Sequence, residues 1–433
     1  MSTKHQLSLI ETIFINLNVM MGAGIFINTA LIAQKSGLLA GFCYVIVGIL
    51  MLPLAYGLSQ LLALHPSGGF YTFGAKEINP LAGFISAWGY FIGKLGSAML
   101  IIHIAVSFLQ EIISPLARMN HYLLDILILT AFICLNMLNI KTGADIQRAF
   151  LGLKLFPILT AIIVGAVITS DGNVNNIHLI WSGIPLTLPL VLYATVGFEA
   201  ACSLSNNIKD AHINGPRAVL ISYCCAITLA FLYQFFFHLA VGEPLLGITS
   251  YKQAFPSLIG ALLPDHQSAS AIMVRLLHAA IACSALGGAY GILFSNMWNL
   301  YTLAQHNHTI RPISFVWLNR HNIPFMCVIA QGILCLIYLI ITHAHQTTLQ
   351  QVSALGSLIA YTISITALIQ SQINTHAPYW QKIIAYIGMG SCLLLSIACI
   401  YGLIINGTAG LILFAIMLAF GICMFFFTRK QYV

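Results

Sequence analysis

The stretch Met21-Gly22-Ala23-Gly24-Ile25-Phe26 lies near the middle of a long apolar segment, residues 11–34, and Thr195-Val196-Gly197-Phe198-Glu199 lies near the middle of another, residues 184–205. Glycine inside a helix costs about 1 kcal/mol relative to alanine, so each stretch predicts an interrupted helix. Close helix packing is the alternative for either stretch alone, because small residues let helices touch. Two such interruptions at matching places in two halves of the chain favour a transporter binding site.

An interrupted helix in a membrane has direct chemical consequences. Its unwound turn exposes backbone N–H and C=O groups, which are too costly to leave unpaired in lipid and therefore must line a cavity. Helix N-termini attract an anion such as a carboxylate. Free carbonyl oxygens attract an ammonium group. Together, the two interruptions predict a site that suits a zwitterionic amino acid.

The composition indicates a protein that lies in lipid. Of 433 residues, 59% are apolar and only 6% are charged, whereas a soluble domain carries about 25% charged residues. The eleven cysteines lie in or beside apolar segments. We therefore interpret them as small apolar residues and not as a disulfide framework.

Apolar segments long enough to cross the hydrocarbon core occur about twelve times. We predict a single all-α polytopic membrane domain over residues 1–433, with spans at 11–34, 40–64, 81–113, 122–140, 147–169, 184–205, 216–242, 270–303, 325–343, 350–371, 382–404 and 408–428.

The lysines and arginines predict the orientation of these spans. Cytoplasmic loops carry an excess of basic residues. With both termini in the cytoplasm, the inside set is Lys4, Lys76, Lys141, Arg148, Lys209, Arg217, Arg311, Arg320, Lys382, Arg429 and Lys430. The outside set is smaller, namely Lys35, Arg118, Lys252 and Arg275. The net charge of +7 is therefore a topology signal in the cytoplasmic (inner) membrane, and we expect no nucleic-acid partner.

The sequence also bears on other function classes. It contains no phosphate-binding GxxxxGK[ST] loop, so a transporter would run on a gradient or on exchange. An embedded enzyme is an alternative, but HExxH, paired membrane aspartates and a GxSxG-like elbow are absent. A channel would show a repeated filter or an oligomeric pore helix, and the sequence shows neither. We expect no cofactor and no metal, because His306-Asn307-His308 and His343-Ala344-His345 lack further ligands nearby.

Several motifs resemble those of the amino acid–polyamine–organocation (APC) superfamily of permeases. Gly22-Ala23-Gly24-Ile25-Phe26 resembles its first-helix signature, and Gly197-Phe198-Glu199-Ala200-Ala201 with Lys209 and Pro216-Arg217-Ala218 resembles its sixth-helix signature. The connector between spans two and three is also similar, with Pro66-Ser67-Gly68-Gly69-Phe70-Tyr71, Pro80-Leu81-Ala82-Gly83-Phe84 and Trp88. Tyr301-Thr302-Leu303-Ala304 resembles the end of its eighth helix.

The resemblance implies a LeuT-like fold with inverted repeats at 11–170 and 184–371 and two further helices at 382–428. It implies that the substrate carboxylate meets backbone N–H groups of Gly22, Ala23, Gly24 and Ile25. The amine would meet carbonyl oxygens around Ala194, Thr195 and Val196, with Gly197 and Phe198 completing the set. Tyr193 stands where relatives place an occluding aromatic residue, and ordinary helix packing is the alternative.

The chain also departs from the family pattern. Asn206 and Asn207 replace an acidic pair, Trp298 stands where many relatives carry a basic residue, and Gln305-His306-Asn307 replaces an Arg-Asp-Gly-like end. These positions lie toward the cytoplasmic helix ends. They put the usual cytoplasmic gate contacts in question and leave the central site intact.

Two ionisable residues are candidates for proton coupling. Lys154 lies in span five and matches a fifth-helix lysine of some proton-coupled permeases, in the region where sodium-coupled relatives hold sodium between helices one and eight. The resemblance thus implies sodium-independent transport, with Lys154 carrying a proton or bracing span one as a fixed cation. Glu199 is a proton carrier, a pH sensor, or a carboxylate bonded to nearby N–H groups.

Span three carries two candidates for selectivity, Lys94 and Ser97. A cation at Lys94 could pair an acidic substrate or exclude a basic one, and the alternative is a lysine that snorkels. His103 and His278 are expected to be helix–helix hydrogen-bond partners. The sequence leaves open which amino acid or amine is moved, symport against antiport with a polyamine, and the oligomeric state.

Overall fold

The computed structural model describes residues 6–66, 68–138, 140–170 and 179–431, apart from the side chains of residues 406 and 429–431. Lys4 and the side chains of Arg429 and Lys430, which we used for the orientation, lie outside this description. Ser67, which is part of the second connector motif, does too.

Helices long and apolar enough to cross a membrane occur eleven times in this part of the chain, and a shorter apolar helix lies at the position of predicted span four. The spans, numbered one to twelve, are Leu9–Ile27, Leu39–Leu64, Pro80–Ile112, His121–Asn136, Ile140–Ser170, Trp181–Asn207, Ala211–Val241, Gln267–Gln305, Phe325–Thr342, Gln346–Asn374, Tyr379–Ile405 and Thr408–Thr428. The predicted fold class, an all-α polytopic membrane protein, is confirmed.

Short helices connect several spans. They are Thr29–Ser36, Phe70–Glu77, Ser114–Ala117, Ala254–Leu262 and Pro312–Val316, with 3₁₀ turns at Glu243–Gly247 and Tyr251–Gln253. Proline lies in the first turn of several helices, as at Pro80, Pro115 and Pro312. It suits this position because the first N–H groups of a helix have no partner within the helix.

Span one is interrupted where the glycines predicted it. Ser8 and Glu11 form a capping box that begins the helix Leu9–Met20. The backbone is unwound at residues 21–23, and a short helix, Gly24–Ile27, follows. The predicted interruption is therefore confirmed.

Span six is interrupted in the same manner. Its helix Ile184–Thr195 ends at Val196, which has extended backbone, and a second helix, Ala200–Leu204, follows. Gly197 has a φ of +147°, a conformation that glycine adopts without strain. A side chain there would also place its Cβ 2.6 Å from the backbone nitrogen of Met20. The two interrupted segments are thus in direct contact.

Spans one and six run antiparallel past each other. Leu7, before span one, pairs with Ile208, after span six, and Gly37, beyond span one, pairs with Leu179, before span six. These two pairings hold both ends of the crossing, so the interruptions meet midway along it.

Span three forms the buried centre of the molecule and packs against spans eight and ten. Its Gly93 lies so close to Gly356 of span ten that a Cβ on Gly93 would be 2.8 Å from the Gly356 Cα. Small residues allow this approach of two helix backbones. This contact fixes the position of span three along span ten. It thereby places the next residue, Lys94, beside the interruption of span six.

Candidate functional site

The interruption of span one leaves four consecutive amides without a partner. In the part of the chain that the structure describes, the N–H groups of Gly22, Ala23, Gly24 and Ile25 have no hydrogen-bond acceptor, whereas Met21 donates to Leu17 and Phe26 to Ala23. Unpaired N–H groups beside the start of a helix are a setting that suits an anion. The arrangement can therefore receive a carboxylate.

The interruption of span six exposes acceptors instead of donors. The Gly197 N–H donates to the Glu199 Oε2 at 2.8 Å and not to the Tyr193 carbonyl four residues earlier. Among the described residues, the carbonyl oxygens of Tyr193, Ala194, Thr195 and Val196 accept no hydrogen bond. Free carbonyl oxygens in a buried site suit an ammonium group.

A small cavity lies between the two interruptions. Its free volume is about 10 Å³, room for about one water molecule. Its lining is Val19, Met20, Gly22, Gly24, Lys94, Ser97, Ile101, Tyr193, Ala194, Val196, Ile292 and Ser353. In this structure the central cavity is too small to hold an amino acid.

Seven of the predicted site residues line this cavity, namely Gly22, Gly24, Lys94, Ser97, Tyr193, Ala194 and Val196. The others lie beside it. Ala23 precedes the short helix of which Ile25 is part, the Thr195 hydroxyl donates to Val191 and Leu192 carbonyls, and Phe198 stacks against Tyr361. The remaining lining residues carry no signal in the sequence, because they are ordinary residues of apolar helices: Val19, Met20, Ile101, Ile292 and Ser353.

Tyr193 closes one wall of the cavity. Its hydroxyl lies 3.1 Å from the Ser97 Oγ. Its ring covers Gly24, since a Cβ on Gly24 would lie 3.0 Å from the Tyr193 Cε1. Gly24 thus permits the aromatic ring to reach the interruption of span one.

A buried ion pair joins span three to the interruption of span six. The Lys94 Nζ lies 3.0 Å from the Glu199 Oε1, and the two side chains are 4% and 0% exposed. The Tyr90 hydroxyl donates to the same oxygen at 3.0 Å. The Gly197 N–H holds the other carboxylate oxygen. The charge of Lys94 is therefore balanced inside the protein, and Lys94 does not snorkel to an interface.

Lys154 is buried between spans five, one and eight. Its Nζ donates to the Asn18 carbonyl oxygen of span one at 2.5 Å. On span eight, a Cβ added to Gly288 would lie 4.0 Å from this Nζ. No carboxylate of the described residues lies within ion-pair distance of it. The Asn18 amide in turn bonds Gln147 and the Gly287 carbonyl, which holds spans one, five and eight together.

A larger cavity of about 590 Å³ opens at the end of the molecule that carries the ends of spans two, six and eight. Several positions at which the sequence departs from the family pattern line it, namely Asn206, Asn207, Trp298, Gln305 and His306. These departures therefore belong to one vestibule and not to the central cavity.

The sequence profile described as amino acid permease matches residues 7–431. The low-affinity putrescine importer PlaP of Escherichia coli (strain K12) is 25% identical over 237 residues, 51% of this chain and 50% of that protein. This chain thus spans about half the length of that relative. An uncharacterized transporter of Mycobacterium tuberculosis is 22% identical over 405 residues, 91% of this chain and 86% of the relative. The b(0,+)-type amino acid transporter 1 of Rattus norvegicus is 23% identical over 358 residues, 78% and 70% of the two chains.

Proposed function

This chain belongs to the amino acid permease family, whose members are transporters and not enzymes, and we propose that it moves an amino acid or a related amine across the cell inner membrane by secondary transport. The observation that carries the proposal is the meeting of two interrupted spans at a small cavity. One contributes four unpaired N–H groups and the other contributes four unpaired carbonyl oxygens.

The two sets of groups suit the two ends of a zwitterion. The N–H groups of residues 22–25 would bind the carboxylate, and the carbonyl oxygens of residues 193–196 would bind the amine. A buried polar group left without a partner costs about 1–3 kcal/mol. A bound zwitterion would remove several such costs at once, which favours the occluded complex.

The charges around the cavity support a substrate with no net charge. Glu199 follows the proposed amine position in span six by three residues, and Lys94 already neutralises it. A diamine would bring a second positive charge, and no carboxylate is among the described residues that line the cavity. An acidic substrate would have to compete with Glu199 for Lys94. We therefore expect neutral amino acids to bind best.

For the coupling, we propose transport that is independent of sodium. Lys154 lies between spans one and eight, so its ammonium would hold the region where a sodium ion would otherwise contact span one. Proton symport is one form of such transport. Exchange of an amino acid for a polyamine or another amino acid is the alternative.

For the organisation, we propose that residues 11–170 and 184–371 are inverted repeats and that 382–428 adds two helices. The antiparallel crossing of spans one and six, with one backbone pairing at each end, supports this division. With both termini in the cytoplasm, the 590 Å³ vestibule would open to the cytoplasm.

A sodium-free counterflow assay tests the proposal. The purified chain is first screened by thermal shift against all amino acids and common polyamines, because a ligand stabilises the protein that binds it. Proteoliposomes loaded with the best ligand should then accumulate the same labelled compound without sodium. A channel gives no such accumulation.

Two glycine variants serve as a matched pair in this assay. Gly24→Leu should abolish counterflow, because the new side chain would meet the Tyr193 ring and the Ala194 backbone at about 3 Å. Gly22→Ala should retain it, since the added methyl meets its nearest neighbour, Ile101, at 3.4 Å. Equal activity of both variants, or counterflow that needs sodium, would refute the placement.

A further inference from the structure

Three potential metal ligands meet between spans three and four, away from the central cavity. His103 comes from span three, and His121 and Asp125 come from the first turns of span four. One ligand atom from each lies within 4.8 Å of the other two. The His103 Nδ1 is 2.7 Å from the Asp125 Oδ2, and the His121 Nε2 is 3.8 Å from the Asp125 Oδ1.

The carboxylate of this group is incompletely satisfied. Asp125 is fully buried, and its Oδ1 has no hydrogen-bond partner among the residues described. Buried acceptors are almost always paired, because an unpaired one loses its hydration without return. The two histidines are accessible, with side chains 24% and 26% exposed. A solute can thus reach a buried oxygen that lacks a partner.

We propose that His103, His121 and Asp125 bind a transition-metal ion, with Zn²⁺ as the best fit. Ligand atoms about 2.05 Å from a tetrahedral zinc lie roughly 3.3 Å apart. The distances of 2.7 Å and 3.8 Å lie on either side of this value. Two imidazoles with one carboxylate suit zinc and its neighbours, whereas Ca²⁺ and Mg²⁺ take oxygen ligands. The fourth position is left to water.

Binding requires only a small local exchange of partners. The His121 Nε2 leaves the His103 carbonyl oxygen, which it contacts at 3.0 Å, and turns to the metal. Both imidazoles change tautomer, with the ring proton carried on His103 Nε2 and His121 Nδ1, so that His103 Nδ1 and His121 Nε2 offer lone pairs to the metal together with the Asp125 carboxylate. His121 and Asp125 are four residues apart on one helix, so they already share a face.

A bound metal would clamp two spans together. His103 lies two residues beyond Ile101, which lines the central cavity. Fixing span three to span four at this point would restrain the wall of the cavity. We expect zinc to slow transport, and with the proposed topology the metal reaches the site from outside the cell.

The test is zinc binding by the purified full-length protein, measured by isothermal titration calorimetry after alkylation of its exposed cysteines. Wild type should bind one zinc ion that Asp125→Asn and His121→Ala bind at least tenfold more weakly. His121→Glu should restore most of the affinity, because a carboxylate can ligate zinc. The paired variant His343→Ala with His345→Ala, which removes two other histidines, should bind like wild type.

Two outcomes would overturn the site. They are equal zinc affinity in wild type, Asp125→Asn and His121→Ala, or a loss in His121→Ala that His121→Glu does not restore. Thermal unfolding in a chelator checks that each variant is folded, and Asp125→Asn keeps the shape of the original side chain. Since binding is measured directly, the result is independent of whether the chain transports amino acids.

Discussion

Lys94 and Lys154 are both buried lysines close to the interrupted spans, but their surroundings differ in one respect. Lys94 contacts the Glu199 carboxylate at 3.0 Å. Lys154 contacts a backbone carbonyl oxygen, and no carboxylate of the described chain lies within reach. One lysine is therefore half of a neutral pair, and the other is a buried charge supported by dipoles alone.

The difference assigns the two lysines different tasks. If Lys94 lost its proton, Glu199 would become a buried charge without an opposite charge, which is expensive. If Lys154 lost its proton, no charge would be left behind. We therefore propose that Lys94, paired with Glu199, sets selectivity, whereas Lys154 is the lysine that can release a proton during transport.

The largest expected effect comes from Lys154→Ala. Gradient-driven uptake should be lost, because neither a proton carrier nor a cation next to span one remains. The measurement is uptake into proteoliposomes with an imposed pH gradient, compared with counterflow in the same vesicles. A coupling lysine predicts that uptake falls at least tenfold while counterflow survives.

The same experiment separates the bracing alternative for Lys154. A fixed cation that only holds the Asn18 carbonyl predicts that uptake and counterflow fall together. Lys94→Ala serves as the matched comparison, since it removes a buried lysine of the same size. Full gradient-driven uptake by Lys154→Ala would remove both roles.

Breaking the ion pair from its acidic side should give the next largest effect. Glu199→Gln leaves the Lys94 charge buried and unpaired, and breaking such a pair costs about 3–5 kcal/mol. The melting temperature of the purified variant should fall accordingly. Lys94→Met should cost less, because Tyr90 and the Gly197 N–H still support the carboxylate.

The double variant Lys94→Met with Glu199→Gln checks this explanation. It removes both charges, so it should be more stable than Glu199→Gln alone. Additive losses in the double variant would mean that the two side chains contribute separately and that the pair is not coupled.

Lys94→Met should also change which compounds compete for the site. With Lys94 absent, Glu199 is free to hold a second amine, so a diamine such as putrescine should compete at least tenfold better than against wild type, or about 1.4 kcal/mol. Inhibition of counterflow by a series of amino acids and diamines measures this. An unchanged competition profile would remove Lys94 from the selectivity determinants.

The comparison also shows what could be predicted from the sequence. The interruptions at Gly22–Gly24 and Gly197 were predictable because hydropathy and glycine act locally. The position of Lys154 beside span one followed from the family resemblance. By contrast, the pairing of Lys94 with Glu199 depends on how spans three and six pack, and nothing local to either residue signals it.

The same limit applies to the group formed by His103, His121 and Asp125. In the sequence, His103 is a lone histidine within an apolar segment, for which a hydrogen bond between helices was the expectation. The structure provides that bond, to Asp125, and adds His121 beside it. The packing of span three against span four brings the three together, and single-sequence patterns do not contain that packing.

The smallest expected effect concerns the cavity wall that Ser97 and Tyr193 form. Ser97→Ala removes the hydrogen bond between the Ser97 Oγ and the Tyr193 hydroxyl, which is worth about 0.5–1.5 kcal/mol. Substrate affinity in the thermal-shift titration should therefore fall roughly two- to tenfold. Tyr193→Phe removes the same bond from the other side, so it should give a similar loss, and the double variant should lose little more than either single one. If the two losses instead add, Ser97 and Tyr193 each contact the substrate separately, and the aromatic wall is not held in place by Ser97.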